Sequence, residues 1–504
     1  MGAIAQLARV LDWQSRGRGF DSLWLHIFNN TYKLTFYNFL RNIKYFYYLK
    51  IKNMNKFFII IAALFIGFSS YSQRKYMKPK FAENWSKPSK HPDHIVLNFS
   101  NDPATSISVT WRTSREVSQA YGEIAISHEN PKFTNQAITK KATTNTLRSS
   151  NVVSYWNYRN PDESLYSNIN QNYHSVTFDD LNPNTVYAYR VGNGSIWSEW
   201  IQFKTASKSN DPFSFLYVGD AQNYILELWS RLIREGYKKD PNASFIIHAG
   251  DLVNDPHNED QWHEWFKAGG WIHRSLPSLP VPGNHEYGPL YQDDLAEKVR
   301  KLSIQWNDQF TLPQNGVKGI LETNYYVDYQ GVRFVALNTN TMIKKQSEWL
   351  EDVLKNNPNK WTIAVFHHPV FSASRGRDNK IIREYWKPLF DKYKVDLALQ
   401  GHDHSYTRGK VSPFEKNTLS GQNKKDLTGT VYVVSVSGGK MYQLKSNWDD
   451  YEAKRDKIGS QKQLFQVISI DGNKLLYKSY TALGELFDEF ELVKNENGSN
   501  SIVQ

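Results

Sequence analysis

The chain has 504 residues, room for two or three domains, and its 40% hydrophobic and 14% aromatic content supports a sizeable core over extended disorder. It contains no cysteine, which excludes disulfides, thiolate metal sites and cysteine nucleophiles. The formal net charge of +11 does not point to nucleic acid, because six of those charges lie in residues 1–53, a seventh is Lys56, and the chain from Gln73 onward carries only +4.

In chain order, the first clear element is "MNKFFIIIAALFIGFSSYSQ", Met54 to Gln73. Lys56 precedes an apolar run, Phe57–Phe68, and small residues follow, which is the layout of a secretory signal peptide. The run is shorter than the roughly 20 residues of a membrane span. The expectation is a signal peptide at 54–72 and an exported product (periplasmic, cell-surface or secreted) with no membrane span after cleavage. A signal peptide works from the N-terminus, so residues 1–53 are expected to be a spurious extension with the true start at Met54. In keeping with this, "AQLARVLDWQSRGRGFDS" resembles the translated transfer-RNA leaders of mispredicted reading frames.

From about residue 90 to 206 the pattern is strand-like. In "SISVTWRT", Ile107, Val109 and Trp111 share one face at period two. In "VTFDDLNPNTVYAYRVG", Tyr187, Tyr189 and Val191 do the same, and "LNPNTVY" has the spacing of a tyrosine corner. These features predict a β-sandwich resembling a fibronectin type III domain, with a loop-rich insertion over 114–172. Trp197 and Trp200 leave room for a sugar-binding surface, although strand packing is the simpler role. The polar stretch "KTASKSNDP", Lys204–Pro212, marks the boundary.

From 212 to 493 one arrangement recurs. "FSFLYVGD" runs apolar into Asp220, and "SFIIHAGD" into Asp251. "LPVPGNHE" delivers Asn284 and His285, "WTIAVFHHP" delivers His367 and His368, and "VDLALQGHDH" delivers His402 and His404. Helical patterns lie between them at Lys344–Asn356 and Ile381–Tyr393, which predicts α/β layers with the polar groups beyond the carboxyl ends of the strands. Two Asp, one Asn and three His offer oxygen and imidazole donors suited to Zn²⁺, Mn²⁺ or Fe. Asp251 can bridge two ions about 3.5–4 Å apart, a geometry that clamps a phosphoryl group and activates water. His402 and His404, one residue apart on what is expected to be extended backbone, would point the same way and each serve one ion.

The ordered set "GDAQ", "GDLVN", "GNHE", "FHHP" and "GHDHSYTR" resembles the calcineurin-like metallophosphoesterase superfamily, and within it the purple acid phosphatases. The resemblance implies an α/β/β/α sandwich preceded by a β-sandwich domain, and hydrolysis of phosphoric esters at a binuclear centre of two divalent ions (Fe, Mn or Zn). Carried over motif by motif, Asp220 and His404 would hold one ion, Asn284, His367 and His402 the other, and Asp251 would bridge. His285 would bind a substrate oxygen or protonate the leaving group, and a metal-bridging hydroxide would attack phosphorus.

Two positions depart from the family. Asn254 stands where the family has an iron-binding tyrosine, and Gln222 stands two after the first aspartate, where Gly or His is usual. Two carboxylates and a phenolate bring a ferric–divalent pair to the same residual charge that Asp220 and Asp251 reach with two divalent ions. The expectation is therefore a divalent pair without purple colour, with Gln222 or Asn254 as a weak neutral ligand. Arg375 and Arg377 are candidate phosphate contacts. The favoured substrate is a small phosphomonoester. A phosphodiesterase or nucleotidase on the same centre, and a non-catalytic surface or carbohydrate-binding protein with a vestigial site, are the alternatives. No flavin or nicotinamide motif appears.

Overall fold

The strands of the chain's larger part are apolar on both faces, and the reason is visible in how they stack. The computed structural model describes residues 85–153, 166–289, 300–374, 377–411, 427–444, 448–451 and 453–503. The expected extension at 1–53, the signal peptide at 54–72 and Arg375 lie outside the described residues.

Two sheets form the centre. In the seven-stranded sheet, Val332–Leu337, Trp361–Phe366, Leu397–Gln400 and Val431–Val434 run parallel side by side. Their residues alternate between two cores. Phe334, Ala336, Ile363, Val365, Leu397 and Leu399 join the core shared with the second sheet. Val335, Leu337, Ala364, Phe366 and Ala398 pack with Leu350, Trp386 and Phe390 of the helices outside. A strand buried on both faces needs this continuous apolar run. The second sheet contains the parallel strands Phe213–Val218, Ile246–His248 and Ser278–Pro280, with helix Ser230–Lys239 on its far side, where Gly236 meets Leu216 and Phe465. The result is helix, sheet, sheet, helix.

The second helical pattern is two helices, Lys380–Tyr385 and Lys387–Lys392. Pro388 cannot donate to a continuing helix, so the chain breaks at Trp386 and restarts with proline in the first turn.

The N-terminal β region has two layers, one of them a separate sheet ordered Ile138–Lys141, Tyr121–Ile126, Val186–Gly192, Ile201–Lys204. The tyrosine corner is present, with the Tyr187 hydroxyl accepting from the Asn182 N–H at 2.8 Å. Residues 114–172 contribute a long hairpin, Thr143–Val153 with Tyr166–Phe178. The other sheet does not end at the polar boundary segment. Strand Asp93–Asn98 lies parallel to Ser278–Pro280, and the Asn98 amide donates to the Ser278 carbonyl at 2.8 Å, which makes one twelve-stranded sheet across both regions. Arg112 strengthens the junction. It is fully buried, donates to both oxygens of Asp93 (2.8 and 2.6 Å) and pairs with Glu259 on helix Glu259–Gly269.

Candidate metal centre

Five strands end at one edge of the two sheets, and the residues just beyond them converge. The backbone there is bent to make this happen. Asp220, Asp251, His402 and His404 have φ of 54, 52, 76 and 49°, in the left-handed region that non-glycine residues enter at a cost. The expectation that His402 and His404 lie on extended backbone is thereby corrected. The segment is a tight turn, because the His402 N–H donates to both Asp220 oxygens (2.9 and 2.8 Å) and the Asp403 N–H turns back onto Gly401. Two glycines allow the close packing. A β-carbon at Gly283 would lie 2.1 Å from Asp251 Oδ1, and one at Gly401 would lie 2.5 Å from Asp220 Oδ2.

Two groups of donors share Asp251. In one, Asp251, His367 and His402 bring ligand atoms within 4.8 Å of one another, and in the other Asp220, Asp251 and His404 do so. In the first, His367 Nε2 is 3.2 Å from Asp251 Oδ2, 3.1 Å from Asn284 Oδ1 and 3.2 Å from His402 Nδ1. In the second, His404 Nε2 is 3.7 Å from Asp220 Oδ1. The far nitrogens orient the rings: His367 Nδ1 donates to the Ala249 carbonyl at 2.9 Å and His404 Nδ1 to the Lys440 carbonyl at 2.9 Å, which turns each Nε2 toward the centre. Asp220, Asp251, His367 and His404 are all buried.

The donor set is one that cations would neutralise. Burial, with the Asp251 charge adding to it, pushes the Asp220 carboxyl up to about 8. Burial opposes the Asp251 charge as well, but His367 and His285 outweigh it and hold that carboxyl well below the usual range. His367 is raised to about 9, with burial opposing and the Asp251 carboxylate dominating. Buried carboxylates and imidazoles aimed at a common point fit a pair of divalent ions, which would take the place of the proton that Asp251 draws onto His367.

The remaining predicted residues fall around this set. The His285 N–H donates to Asp251 Oδ1 at 2.8 Å, and its Nδ1 donates to the Asn254 carbonyl at 2.6 Å, which commits that nitrogen and leaves Nε2 as the ring's second. His368 is not among the converging donors; its Nδ1 meets Thr339 Oγ1 at 2.6 Å and its ring packs 4.2 Å from that of His402. The Gln222 amide lies 2.7 Å from Asp251 Oδ2 and 3.2 Å from His404 Nε2. Asn254 enters through its backbone, the carbonyl holding His285 and the N–H donating to Gln261. Arg377 donates to the His402 carbonyl at 2.6 Å and lies over the Tyr442 ring.

Sequence reasoning did not single out Glu286, Arg300, Lys440 or Tyr442. Glu286 is fully buried, and its two oxygens accept from the N–H groups of Asp251, Leu252, Val253 and Gly283. Arg300 donates to the Asn284 carbonyl at 3.3 Å, and the Tyr442 ring packs 4.8 Å from that of His404. Only the position of Glu286 inside "GNHE" could have signalled a role.

A third group, Asp93, His94 and His263, also brings ligand atoms within 4.8 Å. The Arg112 guanidinium fills it, bonding both Asp93 oxygens and lying 3.3 Å from His263 Nδ1. Trp197 and Trp200 in the β region pack on the Arg190 guanidinium, at 4.5 and 4.9 Å from their ring centres.

The fold and the converging donors define a metallophosphoesterase, and comparison with known proteins agrees. Residues 213–406 match the calcineurin-like phosphoesterase family and residues 92–205 the purple acid phosphatase N-terminal domain. The chain thus joins a calcineurin-like phosphoesterase domain to a purple acid phosphatase N-terminal domain, which marks it as a hydrolase of phosphoric esters with two candidate metal-binding groups. It is 25% identical over 373 residues to the Fe(3+)-Zn(2+) purple acid phosphatase 12 of Arabidopsis thaliana, covering 69% of this chain and 72% of that one. It is also 25% identical to the probable inactive purple acid phosphatase 1 of the same plant, over 64% of this chain and 58% of that one. The solved structure of purple acid phosphatase PPD1 from yellow lupin seeds superposes with a TM-score of 0.61 at 20% identity, covering 81% of this chain and 75% of that one.

Proposed function

We propose that the protein is an exported phosphomonoesterase whose two divalent ions are held by Asp220, Asp251 and His404 on one side and by Asp251, Asn284, His367 and His402 on the other. The observation that carries this reading is the pair of donor groups sharing Asp251. Such ions, when bound, lower the pKa of a water and neutralise charge growing on a phosphoryl group.

The chain's own residues do the rest. His285 is anchored through Nδ1, which leaves Nε2 for the substrate; burial lowers its pKa, so a proton taken up on Nε2 to form the imidazolium would pass readily to the leaving oxygen as the ester bond breaks. Arg300 and Arg377 are fastened to the carbonyls of Asn284 and His402, and the backbone of Lys440 is fastened to His404. Three cationic side chains bordering the ligands favour a phosphomonoester dianion over a diester monoanion.

The test compares para-nitrophenyl phosphate with its bis-ester, using protein supplied with Mn²⁺ or Zn²⁺ and Asp251→Asn as control. Faster monoester cleavage, lost in the control, is expected. Faster bis-ester cleavage would move the reading to a phosphodiesterase. No cleavage and no bound metal would favour a binding protein with a vestigial site, the reading that the probable inactive relative keeps in view. Export through a signal peptide at 54–72 is tested by sequencing the N-terminus of the protein recovered outside the cytoplasm. A mature start before Met54 would reject it.

A further inference from the structure

The two halves of the centre are unequal. The half built on His367 has four donors from protein side chains, Asp251, Asn284, His367 and His402. The half built on His404 has three, Asp220, Asp251 and His404. Asn254 occupies the place where the resemblance would have supplied a fourth, a phenolate.

Gln222 is the side chain that closes this gap. It is fully buried. Its backbone N–H donates to the Asp251 carbonyl at 3.0 Å, which fixes its root beside the shared aspartate. Its amide nitrogen lies 2.7 Å from Asp251 Oδ2 and 3.2 Å from His404 Nε2, two of the atoms that define this half. The His404 ring donates through Nδ1 to Lys440, so the Gln222 N–H groups address lone pairs on both ligand atoms. Its carbonyl oxygen, Oε1, is buried with no hydrogen-bond partner among the described residues. A buried amide oxygen left unpaired is costly. A half-turn about the last side-chain bond exchanges oxygen and nitrogen and carries Oε1 to the point where the lone pairs of Asp251 and His404 meet.

We propose that the Gln222 amide oxygen is the fourth protein ligand of the ion held by Asp220, Asp251 and His404, and that it selects a divalent ion there. A neutral oxygen adds no charge to the two carboxylates, so a divalent ion is matched and a trivalent one is not. The inference rests on the binuclear reading above. Asn254 is left with a positioning role, because its backbone carbonyl holds His285.

Metal content of the whole protein tests this without any assay of turnover. Protein stripped with chelator is titrated with Mn²⁺ or Co²⁺, bound ions are counted by mass spectrometry, and the Co²⁺ absorption reports coordination. Wild type should bind two ions. Gln222→Leu should keep one and bind the second at least about tenfold more weakly, since even groups one shell beyond the ligands cost about 10- to 100-fold. Its stripped form should keep a native far-ultraviolet spectrum and a cooperative melt although the bonds to Asp251 and His404 are gone, and this separates lost ligation from lost folding. Asn254→Leu should keep both ions, and Gln222→Glu should retain Fe³⁺ that wild type releases. Two ions held by Gln222→Leu at wild-type affinity would overturn the proposal, as would loss of one ion from Asn254→Leu alone. A wild type that binds fewer than two ions would instead reject the binuclear reading itself.

Discussion

Replacing Glu286 by glutamine isolates the group that shapes the loop around Asp251. The carboxylate accepts four N–H groups, those of Asp251 and Gly283 on one oxygen (2.8 and 2.7 Å) and those of Leu252 and Val253 on the other (2.8 and 3.3 Å). An amide of the same shape keeps one oxygen and sets an NH₂ against two N–H donors. Two bonds to a charged acceptor are lost, at about 1.5–3 kcal/mol each. Part of that is offset because a buried carboxylate charge no longer has to be desolvated. The expected net cost is about 2–4 kcal/mol by the same reasoning. It should fall on the segment carrying Asp251 and Asn284, so metal affinity should drop together with the urea midpoint. Both are measurable on purified protein, by chelator competition and by tryptophan fluorescence. A stability loss below about 0.5 kcal/mol with unchanged metal affinity would refute the argument, since surface changes are worth no more than that.

Other outcomes follow from single features. Arg112→Met leaves the half-buried Asp93 and Glu259 without their buried cation, and should cost about 1–3 kcal/mol in urea unfolding. A cost under about 1 kcal/mol would show that the junction is held elsewhere. Gly283→Ala drives a β-carbon to 2.1 Å from Asp251 Oδ1, so it should abolish binding of the shared aspartate's ions while far-ultraviolet dichroism stays native. Two ions retained in that variant would contradict the packing. Acid should unfold the protein from within. Burial lowers His248 to about 3 and His174 to about 4, so both are neutral when folded and bind protons more readily when unfolded. Stability from these groups is complete above about pH 6.5 and is lost as pH falls toward those lowered values, at about 1.4 kcal/mol per unit for each group. His248→Phe should flatten that fall; an unchanged slope would assign the acid sensitivity to other groups.

The convergence of the candidate donors was legible because each follows closely on an apolar strand, so local sequence carries both the element and the residue. "FSFLYVGD" and "WTIAVFHHP" state where the strand stops and what it delivers. Three things were not legible. The turn at His402–His404 is shaped by hydrogen bonds to Asp220, a residue 182 positions away. The nitrogen with which His404 faces the centre is set by the Lys440 carbonyl, which no pattern near the histidine announces. The merger of the two regions into one sheet depends on Asn98 beside Ser278, a pairing between segments that each read as complete strands alone. The break at Trp386 belongs to a different class, because Pro388 was in view and its effect on a helix is local.

The two departures from the purple acid phosphatase pattern acquire a common physical cause when charge and packing are considered together. A tyrosine at position 254 would bring a phenolate, and a phenolate suits a trivalent ion. Asparagine there removes that charge, and the chain uses the backbone of the same residue to hold the His285 ring. On the proposal above, glutamine at 222, whose amide sits beside Asp251 and His404, would add an oxygen donor without charge, where a glycine would leave space and a third carboxylate would repel Asp220. On that proposal the pair of substitutions would move the centre toward two like, divalent ions while leaving the converging carboxylates and imidazoles in place. Substituting both positions together, Asn254→Tyr with Gln222→Gly, should therefore restore iron retention and a visible charge-transfer band. Substituting Asn254→Tyr alone should crowd the Gln222 amide and weaken binding of the ion held by His404.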